Sequence, residues 1–189
     1  HKQIGNSIKL MVSGGAAISR DVIFGMHLLG FPITEGYGLT EASPVVTVNE
    51  LGSAKFGSVG KPLEGVEVKI IGQNEEGIGE IVVKGPIVMK GYYKNKELTA
   101  ITIKDRWLYT KDLGYIDKDE YLYIKGRKDN VIILSSGKNV YPEDVEHYYG
   151  KSPLIQEICI LGVKPKDTKY EVVHALIVPN DKELKKLDV

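Results

Sequence analysis

The apolar periodicity of this chain changes twice, and no other feature limits its possible folds as much. Over residues 1–54 apolar side chains come first as a short run, Ile8 to Val12. They return at helical spacing in Val22, Ile23, Met26 and Leu29, then as a short extended stretch from Phe31 to Thr34. Ser13-Gly14-Gly15-Ala16-Ala17 predicts a tight turn, Ser19 the N-cap of the helix and Gly30 its stop. A strand–helix–strand unit of this kind needs a larger parallel sheet beside it, which two short strands and one helix cannot supply.

From Lys55 to Lys125 the period becomes two. Val66-Glu67-Val68-Lys69-Ile70 alternates, Asn74-Glu75-Glu76-Gly77 predicts a turn, and Gly79 to Lys84 resumes the strand pattern. Leu113–Ile116 and Tyr121–Ile124 flank Asp117-Lys118-Asp119-Glu120, a hairpin signal. After Gly126 strands and helices alternate. Val131–Leu134 reads as a strand, Ser135-Ser136-Gly137-Lys138 as a turn, and Tyr141-Pro142-Glu143-Asp144 opens a helix with proline in its first turn. Ile158–Leu161 and Val172–Val178 read as two more strands.

The predicted fold class is therefore mixed α/β in three parts. Residues 1–54 form an αβ portion, 55–125 an antiparallel β subdomain, and 126–189 a small α+β domain joined through the polar stretch Lys125 to Asn130. The chain starts at His1 and ends in a helix-like Asp181–Val189 after a cap at Asn180 or Asp181, with no stop signal. Both ends read as cuts in a longer protein; a small complete protein with untidy termini is the alternative.

Composition narrows the function classes. Twenty-five Lys+Arg balance twenty-five Asp+Glu, so no net charge draws the chain to nucleic acid or to an anionic membrane. The single cysteine, Cys159, excludes an intrachain disulfide and points to a reducing compartment, and its place in an apolar strand reads as core. Apolar runs such as Val131–Leu134 fall far short of the ~20 residues a spanning helix needs, and no targeting segment is visible, so a cytoplasmic location is expected. The four histidines have no metal-ligand spacing.

The chemistry-bearing residues lie in glycine-containing polar segments. Gly36-Tyr37-Gly38-Leu39-Thr40-Glu41 offers a ring face for a planar base, a glycine for close approach, a hydroxyl for a phosphate oxygen and a carboxylate for Mg²⁺. A strand-to-loop turn with a buried tyrosine explains the same residues. Trp107 to Gly114 places Asp112 beside a β turn, where a carboxylate can accept from both ribose hydroxyls or simply cap the turn. Arg127 sets a forked guanidinium in the interdomain stretch, suited to phosphate or ribose oxygens or to solvent.

Taken together, Ser13-Gly14-Gly15-Ala16, Gly36 to Glu41, Tyr109 to Gly114 and Gly126 to Glu146 occur in the order and setting of the AMP-forming acyl-CoA synthetases. The chain resembles that adenylate-forming family along essentially its whole length, most of all its long-chain fatty acid members. The resemblance implies two steps: a carboxylic acid and ATP give an acyl-adenylate and pyrophosphate, and the acyl group then passes to the thiol of coenzyme A. It implies ATP, Mg²⁺ and coenzyme A as ligands, a fatty acid as substrate, and no nucleic-acid partner. Peripheral membrane contact is compatible with a fatty-acid enzyme, although no basic amphipathic helix supports it.

Residue by residue, the resemblance places Gly15 and Ala16 on the adenine side, Tyr37 on the adenine ring with Gly38 beside it, Thr40 at the phosphate, and Glu41 on Mg²⁺. Asp112 and Arg127 would hold the ribose, Asp129 would be the hinge of the small domain, and Gly137 and Lys138 would face coenzyme A. Residues 1–54 would then be the C-terminal portion of the large adenylation domain, 55–125 its barrel-like β subdomain, and 126–189 the hinge and first part of the small domain. The family's phosphate loop and its adenylation lysine have no match here, so the 189-residue chain alone is expected to be inactive. A ligase acting on an acyl carrier protein, a peptide-synthetase adenylation domain and a non-catalytic nucleotide-binding module remain alternatives.

Overall fold

The computed structural model describes residues 7–16, 18–166 and 168–187. The terminal positions of the expected cuts, and Ala17 of the first predicted turn, lie outside these described residues. The chain divides into two compact units, His1–Ile124 and Lys125–Val189.

The first unit opens with the predicted strand–helix–strand. β1 (Met11–Ser13) and β2 (Ile33–Tyr37) pair in parallel, Met11 opposite Ile33, with α1 (Arg20–Leu28) between them. Ser19 caps α1 by accepting the Val22 N–H at 3.2 Å, and Gly30 ends it in a left-handed conformation, φ 80°. β3 (Thr47–Val48) and β4 (Lys61–Pro62) extend the sheet antiparallel in the order β1-β2-β3-β4. Val12, Phe24, Leu28 and Leu29 are exposed, in keeping with an αβ unit that three elements cannot cover.

The period-two region forms a curled antiparallel sheet. Its strands are β5 (Glu67–Ile71), β6 (Gly79–Lys84), β7 (Ile103–Lys104), β8 (Trp107–Ile116) and β9 (Leu122–Arg127), ordered β5-β6-β8-β7 with β9 also against β8. α2 (Lys96–Thr102) precedes β7. Both predicted turns are built by side chains: Asn74 Oδ1 accepts the Glu76 and Ile78 N–H at 3.0 Å, and Asp117 Oδ1 accepts those of Asp119 and Tyr121 at 2.9 and 3.0 Å. Ile81, Val83, Leu108 and Leu122 of this sheet bury themselves with Ala42, Val46 and Val66 in one core, each such side chain contributing about 1.5–3 kcal/mol. Lys55 reaches the hairpin tip, 2.5 Å from Asp117 Oδ2 and 2.7 Å from Asp119 Oδ2. That ammonium holds the Asp117 carboxyl down at about 2.

The second unit carries β10 (Ile132–Ile133) paired with β11 (Asn139–Val140), then α3 (Pro142–Tyr149), the antiparallel pair β12 (Ile155–Val163) and β13 (Val172–Pro179), and a short α4 (Asp181–Leu184). Proline stands in the first turn of α3 as predicted. Ile132, Tyr141 and Ile160 are its buried centre, and Glu146 Oε1 of α3 accepts the Ile160 N–H at 2.8 Å.

One expectation is corrected. Cys159 is exposed rather than core. Ile160 faces the buried side of β12, so strand alternation turns its neighbour outward. In the polar stretch Lys125 to Asn130, β9 runs through Arg127 and Lys128–Asn130 form a 3₁₀ turn.

Candidate functional site

Two loops of the first unit leave the carboxyl ends of parallel strands, the place where open α/β sheets receive ligands. Gly14, Gly15 and Ala16 follow β1, with Gly15 at φ 84° and Ala16 exposed. Gly36 to Glu41 carries the end of β2 into a 3₁₀ turn at Thr40–Ala42. The two loops lie together: a Cβ added at Gly14 would sit 3.4 Å from the Gly36 carbonyl oxygen.

Tyr37 is the last residue of β2, and its hydroxyl donates to Asp112 Oδ2 at 2.6 Å. A charge-assisted bond of this length is among the stronger kinds. Thr40 is exposed beside it, at the start of the 3₁₀ turn.

At Gly38 a Cβ would fall 1.6 Å from the Pro44 carbonyl oxygen, so the glycine lets two backbone segments meet.

Asp112 differs from expectation in its setting. It lies inside the ten-residue β8, not beside a turn. The β6–β8 register shifts between Glu80 and Val82, and Lys111 takes φ 62°, so β8 bulges at this point. Thr110 Oγ1 donates to the Ile81 carbonyl at 2.8 Å and accepts the Asp112 N–H at 3.1 Å, while Glu80 Oε1 accepts the Lys111 N–H at 3.2 Å. The bulge re-aims a carboxylate that is itself buried, 7% exposed, toward Tyr37.

Glu41 is held twice. Its backbone carbonyl accepts the Met89 N–H at 2.8 Å, and its Oε1 accepts the Tyr92 hydroxyl at 2.9 Å. Burial first, and the Glu41 carboxylate second, raise the Tyr92 pKa above its ordinary value. Sequence reasoning missed Tyr92. The signal available was Gly91-Tyr92 followed by the cap Asn95 and by Thr99 and Thr102, three apart on a helix. A lone half-buried carboxylate suits Mg²⁺, which is bound by one or two carboxylates together with substrate phosphates and water, so Glu41 fits the ion.

The remaining predicted residues lie in the second unit, whose first residues include the end of β9. Arg127 ends β9 and is exposed, and Asp129 sits in the 3₁₀ turn that follows. Gly137 takes φ 79° in the turn between β10 and β11, where its N–H donates to the Leu134 carbonyl at 2.8 Å. Lys138 is exposed, its N–H 3.4 Å from Ser136 Oγ. Among the described residues no helix is long and apolar enough to cross a membrane.

The αβ unit, the curled sheet and the Tyr37–Asp112 and Glu41 contacts together define the C-terminal part of an adenylate-forming fold. Over residues 1–93 the chain matches the AMP-binding enzyme family. It is 40% identical over 181 residues to the long-chain-fatty-acid–CoA ligase of Bacillus subtilis, covering 92% of this chain and 32% of that protein. With the 2-succinylbenzoate–CoA ligase of Oceanobacillus iheyensis the identity is 38%, over 92% of this chain and 36% of the relative. The structure of o-succinylbenzoate CoA synthetase from Bacillus subtilis with its acyl-adenylate intermediate matches with a TM-score of 0.84 and 33% identity, covering 96% of this chain and 39% of that one. The same enzyme with ATP and magnesium ion matches with a TM-score of 0.82. The chain spans about a third of the length of the curated relatives it matches.

Proposed function

We propose that the protein containing this chain is an ATP-dependent acid–thiol ligase, which activates a carboxylic acid as acyl-AMP and passes the acyl group to coenzyme A. The observation that carries this reading is the 2.6 Å bond from Tyr37 to Asp112, which joins the proposed adenine and ribose residues. Tyr37 would stack on the base while its hydroxyl orients the carboxylate. The buried Asp112 would accept from the ribose hydroxyls. Thr40, exposed at the same loop, would donate to the α-phosphate. Mg²⁺ held by Glu41 would neutralise charge as pyrophosphate leaves.

In the second unit, Arg127 is assigned to the ribose, Asp129 to the hinge, and Gly137 and Lys138 to the coenzyme A side. Those assignments rest on the sequence resemblance, as does the division at residues 54 and 125. A fatty acid is the proposed substrate, supported by the 40% identity to a long-chain-fatty-acid–CoA ligase; a relative named for 2-succinylbenzoate stands close behind at 38%. The chain's neutral charge fits small-molecule substrates rather than nucleic acid.

The test is ATP–pyrophosphate exchange by the complete parent protein with acids of graded chain length and with 2-succinylbenzoate. Exchange that rises with chain length, followed by acyl-CoA formation, supports the reading. No exchange with any acid overturns it, and transfer only to a carrier protein would replace coenzyme A as the acceptor.

A further inference from the structure

α2 is an unusual helix for its place in a globular unit, because none of its residues is fully buried. Apolar burial therefore does not explain why it is held where it is. Its threonines supply another reason. Thr99 Oγ1 accepts the Tyr92 N–H at 2.9 Å and donates to the Asn95 carbonyl at 2.7 Å. Asn95 caps the helix in turn, its Oδ1 accepting the Leu98 N–H at 3.0 Å. Thr102 lies one turn further along the same side of the helix. Gly91 lies against Thr99, where an added Cβ would be 2.6 Å from the threonine methyl, so the glycine lets the segment approach the helix closely.

Tyr92 is thus gripped at its backbone and at its phenol, and the phenol bonds Glu41 Oε1 at 2.9 Å. The Met89 N–H on the Glu41 carbonyl, at 2.8 Å, fixes the backbone of the same residue. One carboxylate oxygen is committed and the torsions that would swing the other are restrained. We infer that Tyr92 is a positioning residue for the magnesium-binding carboxylate: Thr99 and Tyr92 form a relay that holds Glu41 in the rotamer able to take the ion. This inference rests on the proposed ligase reading, in which Glu41 holds Mg²⁺.

The relay explains features that packing leaves unaccounted for. A metal-binding carboxylate gains from a fixed rotamer, since Mg²⁺ demands near-ideal octahedral geometry. Residues that orient metal ligands change metal affinity about 10–100-fold when removed.

The experiment uses the complete parent protein and measures divalent-ion affinity directly, by Mn²⁺ electron paramagnetic resonance with a non-hydrolysable ATP analogue, beside the Mg²⁺ dependence of pyrophosphate exchange. Tyr92→Phe removes one oxygen and is expected to weaken ion affinity roughly tenfold, with the KM for the acid and the thermal midpoint unchanged. Thr99→Val, which keeps the shape of the side chain and the phenol, is expected to give a smaller loss of the same kind. Wild-type ion affinity in Tyr92→Phe overturns the inference. Equal losses in ion affinity, acid KM and thermal midpoint in both variants overturn it too, because they would mark a merely structural role. Failure of the wild-type parent to exchange pyrophosphate at all would instead sink the ligase reading.

Discussion

The Tyr37 hydroxyl meets Asp112 Oδ2 at 2.6 Å across 75 residues of chain. One partner ends a strand of the mixed sheet, and the other sits in the bulge of the curled sheet. The bond is therefore both a clasp between the two sheets of the first unit and the centre of the proposed nucleotide site.

Removing that clasp should be felt twice. Tyr37→Phe is expected to destabilise the first unit by about 1–2 kcal/mol, since a hydrogen bond to a carboxylate is lost while the ring remains. In the complete parent it should also raise the KM for ATP more than the KM for the acid. Urea unfolding and steady-state kinetics check the two effects, and an unchanged ATP KM would remove Tyr37 from the nucleotide site.

Two glycines of the same site should respond differently to alanine. At Gly15 nothing lies within 4 Å of an added Cβ, and only the φ of 84° opposes it, so Gly15→Ala should cost about 1 kcal/mol. At Gly38 the Pro44 carbonyl would be 1.6 Å away, so the loop must move, and Gly38→Ala should cost about 3 kcal/mol or more. Paired denaturation curves decide it; similar midpoints would mean the Gly38 contact is readily relaxed.

The hairpin tip predicts a pH dependence. The Asp117 pKa is lowered from 3.8 to about 2, by Lys55 first, so its stabilising contribution is fully present above 3.8 and is lost as pH falls toward 2. Lys55 is shifted the other way, so its contribution holds through neutral pH and disappears only in strong alkali. Lys55→Met should flatten the acid limb of a thermal-midpoint profile. An acid limb identical to wild type would show that the pair contributes nothing.

Asp129→Pro in the complete parent is expected to spare pyrophosphate exchange and to block acyl-CoA formation, because proline would stiffen the 3₁₀ turn that holds the proposed hinge. Separate assays of the two half-reactions check this. Equal loss of both would count against the hinge.

Much of the fold was legible because local rules dominate it. Ser19 caps α1, Asn74 and Asp117 build their turns, Pro142 opens α3, and Gly137 takes the left-handed position of its turn, each through contacts within a few residues. Tyr37, Thr40, Glu41 and Asp112 are candidate site residues on their types, their order and the resemblance. Local pattern misled where the environment of a strand mattered. Cys159 shares an apolar run with Ile160, yet a helix covers only one face of β12 and leaves the cysteine outside. Asp112 looked like a turn residue because polar residues and glycine surround it, but the turn-like pattern marks a bulge inside a long strand.

The sequence by itself determined the three styles of secondary structure, the turns between them and the residue types that could serve a nucleotide. The tertiary structure decided which of those residues meet: Tyr37 with Asp112 across 75 residues, and Glu41 with Tyr92 across 51. The reason is physical. Caps and turns are settled by neighbours a few bonds away, whereas Tyr37 meets Asp112 through the register of the β6–β8 ladder and Glu41 meets Tyr92 through the packing of a 3₁₀ turn against a loop. Side-chain direction along a strand has a period of two, so a one-residue change in pairing reverses which face each group occupies.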